Sequence, residues 1–181
     1  MMLRKLEEKD VWGMLEWMHD PEVYCFFRFA CENNTEADAA RFILQAQKDF
    51  EKNIHRHYAI VNENDEYLGT ISLKDIDMNS LNAEYAISLR KGAQGKGMAT
   101  IATKEILRIA FEEIGLKRVY LNVLSENVAA IRLYEKCGFV YEGEFREHIK
   151  IRGNMHSLKW YGILRDEYIE KEMSYYEDNA K

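Results

Sequence analysis

The feature that most constrains the fold is a glycine-rich turn between a predicted strand and a predicted helix. Strand-like residues 83–89 lead into three glycines within six residues, Gly92, Gly95 and Gly97, and a helical pattern then runs to Ile114. The glycines let several backbone N–H groups point to one spot at a helix N-terminus, where an anion such as a pyrophosphate is favoured. Turns of this kind also occur without a ligand, so a purely structural role stays an equal alternative here. The spacing fits neither a P-loop nor the dinucleotide-binding fingerprint.

A second segment combines a capping asparagine with a tyrosine on an apolar helix face. The strand predicted over residues 118–124 leads into a helix that Asn127 is suited to cap and Gly138 is suited to end. Asn127 and Tyr134 are seven residues apart, which places them on one side of the helix, roughly 10 Å apart along its axis. Tyr134 shares its face with Cys137. It is therefore either a core residue or a catalytic one, and the pattern alone leaves both open.

The rest of the chain alternates between helices and strands in one domain. The other predicted elements are strands over 2–6, 57–61 and 67–73, helices over 10–19 and 35–52, and a hairpin over 144–164 that turns at Gly153 and Asn154. Asp10 is expected to cap the first helix, and Thr35 with Asp38 forms a capping box for the second. We expect a single domain over residues 1–173 and a polar C-terminal tail over 174–181 that frays.

Composition narrows the classes of function. The chain has 181 residues, with 31 acidic and 25 basic side chains and a formal charge of −6, which disfavours nucleic-acid binding and mildly favours a cationic partner. It contains no apolar run long enough for a signal peptide or a membrane span, so we expect no membrane partner. The negative charge leads us to expect no nucleic-acid partner either. Three cysteines without a pairing pattern indicate reduced thiols and a cytoplasmic location. His55 and His57 lack the spacing partners that would complete a metal site, so no metal is expected.

Taken together, the two segments resemble a known family. The patterns are Gln94-x-x-Gly97-x-Ala99 and Glu126-Asn127-x-x-Ala130-x-x-Leu133-Tyr134-x-x-x-Gly138-Phe139. They resemble the GNAT superfamily of N-acetyltransferases, and within it the branch of ribosomal-protein N-terminal acetyltransferases and spermidine/spermine acetyltransferases. The resemblance covers residues 83–139. It implies an α+β fold (layered α/β), with a mixed central sheet of about seven strands splayed open at the cofactor site and about four flanking helices.

The resemblance also implies roles for individual residues. Acetyl-CoA is the expected co-substrate, bound by Leu89, Gln94, Gly95, Lys96, Gly97, Met98, Ala99, Thr100, Asn122, Asn127 and Ala130. Residues 94–100 match the pyrophosphate-binding loop, and a backbone N–H at the end of the preceding strand matches the donor to the oxyanion. Tyr134 matches the tyrosine that returns a proton to the departing CoA thiolate. Cys137 is expected to pack in the core and not to form an acyl intermediate.

The residue that activates the amine is less strongly specified. An alkyl ammonium group has a pKa near 10.4 and must lose a proton before it can attack. Glu84, in the strand before the glycine-rich turn, is the candidate base. Two other interpretations of Glu84 stay open: a salt-bridged strand residue, or an anchor for a cationic substrate. For Glu84→Gln, loss of a base would be offset at higher pH, whereas loss of an anchor would raise KM mainly for polycationic substrates, so experiment can separate these two roles.

The acceptor is a small-molecule or peptide amine, and the sequence does not choose among a polyamine, a protein N-terminus and an amino sugar. By the resemblance, Tyr24, Phe27, Glu147, His148 and Tyr161 are expected to line the acceptor side. The C-terminal hairpin is expected to help form a homodimer. The alternative from another class is a catalytically inert module that binds or senses acyl-CoA.

Overall fold

The protein is described by a computed structural model that covers the backbone of residues 2–179 and the side chains of residues 2–171 and 173. This part of the chain divides into two compact units. The first comprises residues 2–76 and 84–106, and the second comprises residues 77–83 and 107–179. Within this part, no helix is long and apolar enough to cross a membrane.

The first unit is built on four neighbouring strands. They are β1 (Met2–Lys5), β2 (Arg56–Val61), β3 (Tyr67–Asp77) and β4 (Asn82–Leu89), of which the last residue of β3 and the first two of β4 belong to the second unit. Their order is β1-β2-β3-β4, and β2 runs antiparallel to both β1 and β3. The register places Leu3 opposite Ile60 and His57 opposite Ser72.

The helices of the first unit bury an apolar stripe against these strands. They are α1 (Val11–Met18), α2 (Pro21–Tyr24), α3 (Glu36–Glu51) and the first part of α4 (Met98–Arg108). One core cluster joins Met14 and Trp17 of α1, Ile43 of α3 and Val61 of β2, all of them buried. Burial of a full aliphatic side chain contributes about 1.5–3 kcal/mol, so the 3.6-residue spacing of these positions fixes which face of each helix packs inward.

The predicted cap of α3 is confirmed, whereas that of α1 is wrong. Thr35 accepts the N–H of Asp38 at 3.3 Å while the Asp38 carboxylate accepts the N–H of Thr35 at 2.9 Å. The side chain of Asp10 makes no cap bond to α1. It is buried and accepts two hydrogen bonds of 2.8 Å from the guanidinium of Arg4. The Asp10 carboxylate also accepts the N–H of Glu7 at 2.9 Å, so it is held by the residues before it and not by the N-terminus of α1.

The second unit is a three-stranded antiparallel arrangement with two helices. It contains the end of α4, which continues as a π-helical segment (Ile109–Glu113), and then β5 (Arg118–Leu124), α5 (Val128–Cys137), β6 (Val140–Ile151), β7 (Asn154–Leu164) and α6 (Arg165–Asn179). The strand order is β5-β7-β6. Gly162 in the middle strand leaves room for Arg118 of β5 to reach Glu142 of β6, since a Cβ at Gly162 would lie 2.6 Å from both side chains.

Several elements differ from those predicted from the sequence. The hairpin begins at Val140, and its turn lies at Arg152 and Gly153, both at positive φ, one residue earlier than predicted. Helices α2 and α6 were not anticipated, so the described residues contain six α-helices where about four were predicted. The expected polar tail over 174–181 belongs to α6 as far as Asn179, and its last two residues lie outside the described part.

Candidate active site

In the first unit, the glycine-rich loop links β4 to α4. A short 3-10 turn (Lys91–Ala93) follows Arg90, and the chain then passes through Gly95 and Gly97 to the first residue of α4. These two glycines have φ values of 73° and 78°, in the left-handed region that disfavours side chains. A Cβ at either glycine would meet nothing within 4 Å. The glycines are therefore required by the backbone, and the space in front of them is open.

The residues present fit an anionic ligand at this loop. The first N–H groups of a helix have no partner within it, so those of Met98, Ala99 and Thr100 carry the positive end of the α4 dipole. The side chain of Gln94 donates from Nε2 to the carbonyl of Leu89 at 3.2 Å, which closes the loop onto the end of β4. Lys96 is exposed within the loop. Backbone donors, a helix dipole and one lysine suit a pyrophosphate group.

Glu84 on β4 lies within an ion-paired cluster. Its side chain is 16% exposed, and Oε1 accepts a hydrogen bond of 2.8 Å from Nζ of Lys74. The guanidinium of Arg28 lies 3.9 Å from the same oxygen. Along β4, Glu84 lies two residues from Ala86 and four from Ser88, so the three share one face of the strand, and all three are partly buried. A salt-bridged Glu84 was one of the interpretations left open by the sequence, and the structure gives Lys74 and Arg28 as its partners.

Most aromatic side chains in the segment before α3 pack against the core of the first unit. Phe27 stacks on the buried Trp17 with ring centroids 5.1 Å apart, and it meets Phe29 edge-on at 5.4 Å. Tyr24 packs, partly buried, against the same core cluster. Phe29 itself is 55% exposed. Tyr24 and Phe27, the two residues of this segment predicted to line the acceptor side, are therefore both held in place by core packing.

In the second unit, Asn127 caps α5 as predicted. Its Oδ1 accepts the N–H of Ala130 at 3.2 Å, and Gly138 ends the helix in the left-handed conformation with φ 103°. The N–H of Ala130 is thus used inside the chain, while the side-chain N–H₂ of Asn127 is the part of the cap that can donate outward. Asn122 lies on β5 opposite Trp160 of β7.

Tyr134 is buried on the inner face of α5. It is 7% exposed and meets Phe139 edge-on with centroids 6.0 Å apart. Burial, and to a lesser degree the nearby Cys137 thiol, raises the pKa of the Tyr134 phenol above its ordinary value near 10. The phenol is therefore protonated at neutral pH, which is the state a proton donor needs. Cys137 is buried, as expected for a packing residue.

The three residues predicted on the C-terminal hairpin lie in different surroundings. Tyr161 is 2% exposed and donates to Oε1 of Glu135 on α5 at 3.0 Å; burial and this bond raise its pKa to about 12. Glu147 has φ 47°, and its N–H donates to the hydroxyl of Ser157 at 3.0 Å. His148 is exposed and touches the ring of Phe145 edge-on. Tyr161 thus anchors α5 to β7, whereas Glu147 and His148 are surface residues of the hairpin.

Comparison with known proteins decides the family. A family model described as an acetyltransferase (GNAT) domain matches residues 1–140 of the chain. The chain belongs to the GNAT acetyltransferase family. This GNAT protein is 30% identical over 168 residues to the uncharacterized N-acetyltransferase p20 of Bacillus licheniformis, covering 92% of this chain and 93% of that protein. It is 32% identical over 124 residues to the spermidine N(1)-acetyltransferase of Vibrio cholerae, covering 68% and 72% of the two chains.

The fold is also shared with solved structures. The crystal structure of the Vibrio cholerae spermidine N-acetyltransferase in complex with CoA and spermine matches with a TM-score of 0.83 and 26% identity, over 93% of this chain and 97% of that one. The predicted family, the seven-stranded GNAT fold and the N-acetyltransferase activity are confirmed. In the described part of this GNAT enzyme, no group of histidine, cysteine and carboxylate side chains is arranged to hold a metal ion.

Proposed function

We propose that this GNAT enzyme takes its acetyl group from acetyl-CoA and that residues 94–100 bind the pyrophosphate of that co-substrate. The observation that carries the proposal is the open space in front of Gly95 and Gly97, at the N-terminus of α4. The CoA in the Vibrio cholerae relative supports it. The N–H groups of Met98, Ala99 and Thr100 supply the donors, and Gln94 holds the loop closed. The N–H of Leu89, at the end of β4, is our candidate donor to the oxyanion.

Tyr134 is our candidate for the acid that protonates the departing thiolate. A thiolate leaves more readily when a neighbouring group supplies a proton, and the raised pKa keeps the Tyr134 phenol protonated. Asn127 and Asn122 are our further candidates for contacts to the CoA chain. The amide of Asn127 supports this because only its oxygen is engaged by the helix cap.

Glu84 is our candidate for the group that holds the ammonium of the acceptor. Both cations near it, Lys74 and Arg28, approach Oε1. This leaves Oε2 as the acceptor for a substrate N–H. A free carboxylate oxygen beside two ion-paired cations is a fixed hydrogen-bond acceptor. Holding the ammonium of the acceptor through Oε2 is therefore the role that we propose for Glu84.

A polyamine is the acceptor we propose, in preference to a protein N-terminus or an amino sugar. The spermine in the complex of the Vibrio cholerae relative supports this choice, as does the formal charge of −6 on this chain. We further propose that the enzyme works in the cytoplasm as a homodimer. No cysteine of the described residues forms a disulfide, which suits a reducing compartment.

An acetyl-transfer assay tests the acceptor. Released CoA thiol is measured with spermidine, spermine, aminoglycosides, amino sugars and short peptides at matched concentrations. We expect the two polyamines to give the highest kcat/KM, and Glu84→Gln to raise KM for them more than it lowers kcat. A preference for peptides would overturn the polyamine assignment. Binding of acetyl-CoA without turnover of any amine would favour the inert acyl-CoA-binding module.

A further inference from the structure

Arg90 lies where β4 ends and the glycine-rich loop begins, and its side chain points to protein partners on two other elements. Its Nη2 lies 2.5 Å from Oε2 of Glu16 on α1, and its Nη1 lies 3.0 Å from Oε1 of Glu66. The same Nη1 donates to the carbonyl of Tyr67 at 2.9 Å, at the start of β3. The backbone N–H of Arg90 donates to the carbonyl of Leu68 at 2.9 Å.

The strand end beside Arg90 is fixed by a second, independent feature. Gly69 on β3 lies so close to β4 that a Cβ there would stand 2.2 Å from the carbonyl oxygen of Ser88 and 2.7 Å from Cδ2 of Leu89. Its φ is not in the left-handed region, so the close approach of the two strands, and not backbone conformation, requires glycine. The last two residues of β4, Ser88 and Leu89, therefore pack directly on β3. Arg90 is the residue that follows them.

We propose that Arg90 is a positioning residue for the CoA-binding loop, which it holds in its binding conformation through Glu16, Glu66 and the carbonyl of Tyr67. This inference rests on the function proposed above, in which residues 94–100 bind the pyrophosphate. Both guanidinium Nη atoms are engaged by protein oxygens, so Arg90 acts on the co-substrate through the loop and not by direct contact. A planar fork can reach three oxygens at fixed angles, which the single ammonium of lysine cannot do.

The effect falls on binding more than on chemistry. A loop that must become ordered when its ligand arrives loses conformational entropy, and a loop already held in place loses less. The side chain of Arg90 is 24% exposed, whereas those of Glu16 and Glu66 are 50% and 56% exposed. Each exposed ion pair alone contributes little. The shared guanidinium and the bond to a backbone carbonyl make the three contacts one network.

Two acetyl donors separate positioning from general damage to the fold. Arg90→Gln and Arg90→Lys are assayed with acetyl-CoA and with S-acetylpantetheine, which lacks the pyrophosphate and adenosine. We expect Arg90→Gln to raise KM for acetyl-CoA and Kd for CoA roughly tenfold, the loss typical of a charged hydrogen-bond network. We expect Arg90→Lys to give most of the same loss. The value of kcat at saturating acetyl-CoA and of kcat/KM for S-acetylpantetheine should stay within a factor of about two.

Arg41→Gln is the matched control, because Arg41 pairs with Asp38 within α3, on another surface of the same unit. It should leave all four parameters unchanged. If Arg90→Gln unfolds the protein, Glu16→Gln combined with Glu66→Gln removes the same ion pairs with the arginine present and should raise KM for acetyl-CoA in the same selective way. An equal loss with both acetyl donors, or no loss with either set of variants, overturns the role of Arg90. Failure of the wild type to bind CoA would instead overturn the proposed function.

Discussion

At the scale of single residues, burial shifts the pKa of Tyr134, our candidate acid, and of His57, which lies outside the proposed site. Tyr134 is buried and His57 is partly buried, and for each side chain this burial favours the neutral form. For a phenol this raises the pKa, and for an imidazole it lowers the pKa. Tyr134 therefore stays protonated to a higher pH than a free phenol, and His57 stays unprotonated to a lower pH than a free imidazole.

Tyr134→Phe should lower kcat about 100-fold with little change in the Kd for acetyl-CoA, since a general acid acts mainly in the transition state. The raised pKa adds a pH expectation. The wild-type rate should climb with pH as the amine deprotonates, without an alkaline decrease from Tyr134 up to about pH 9.5. Steady-state kinetics with single-turnover controls measures both effects. Unchanged turnover with chemistry rate-limiting would reduce Tyr134 to a packing residue.

His57 should make the fold sensitive to acid. Burial, together with the charges of His55 and Lys74, lowers its pKa to about 4. Between the unfolded value near 6.5 and this value, the unfolded chain takes up a proton that the native protein does not, so stability falls as pH falls. From pH 7 to pH 5 the wild type should lose about 2 kcal/mol more than His57→Asn does.

Urea unfolding at the two pH values measures this difference. Asparagine retains a polar partner for the hydroxyl of Ser72, which lies 2.7 Å from Nδ1 of His57. His148→Asn, at an exposed histidine of the hairpin, is the control and should follow the wild type. A parallel acid dependence for wild type and His57→Asn would show that His57 is protonated normally in the native state.

At the scale of elements, the loop between β4 and α4 is defined by backbone conformation. Gly97→Val places a β-branched side chain at φ 78° and into the open space before α4. We expect it to abolish the rise in melting temperature that acetyl-CoA gives to the wild type, where stabilisation grows with the logarithm of ligand concentration over Kd. Gly153→Val is matched in strain, at φ 90° in the hairpin turn, and should keep the ligand shift. Equal shifts in both variants would contradict pyrophosphate binding at the loop.

Elements whose signals are local were predictable, and those set by distant partners were not. The capping box of α3, the cap and end of α5 and the glycines of the loop each follow from residues within one turn of chain. Asp10 was misassigned because its carboxylate accepts hydrogen bonds from Arg4 on β1 and from the N–H of Glu7 instead of from the first N–H groups of α1. A salt-bridged Glu84 was one of the open interpretations, but its partners Lys74 and Arg28 could not be named because the three side chains meet only in the folded chain.

At the scale of the whole molecule, the formal charge of −6 produces a field that favours cationic acceptors. Raising the salt concentration from about 0.02 M to about 0.5 M shortens the range of this field severalfold. We expect kcat/KM for spermine to fall much more than kcat/KM for a monoamine, mainly through KM. Steady-state assays in a non-binding salt measure the two slopes. Identical slopes would show that the net charge does not contribute to acceptor capture.

The burial of Tyr134 also bears on how such an enzyme could lose its activity in evolution. Its ring fills space beside Phe139 in the second unit, while the proposed chemistry needs only the hydroxyl. A small replacement would leave a cavity and cost about 3–5 kcal/mol, so selection for a folded chain removes it. Phenylalanine retains the packing of the ring but lacks the hydroxyl that would donate the proton. A descendant retained only for binding acyl-CoA should therefore carry phenylalanine at this position, which makes it a marker for lost catalysis among the relatives of this protein.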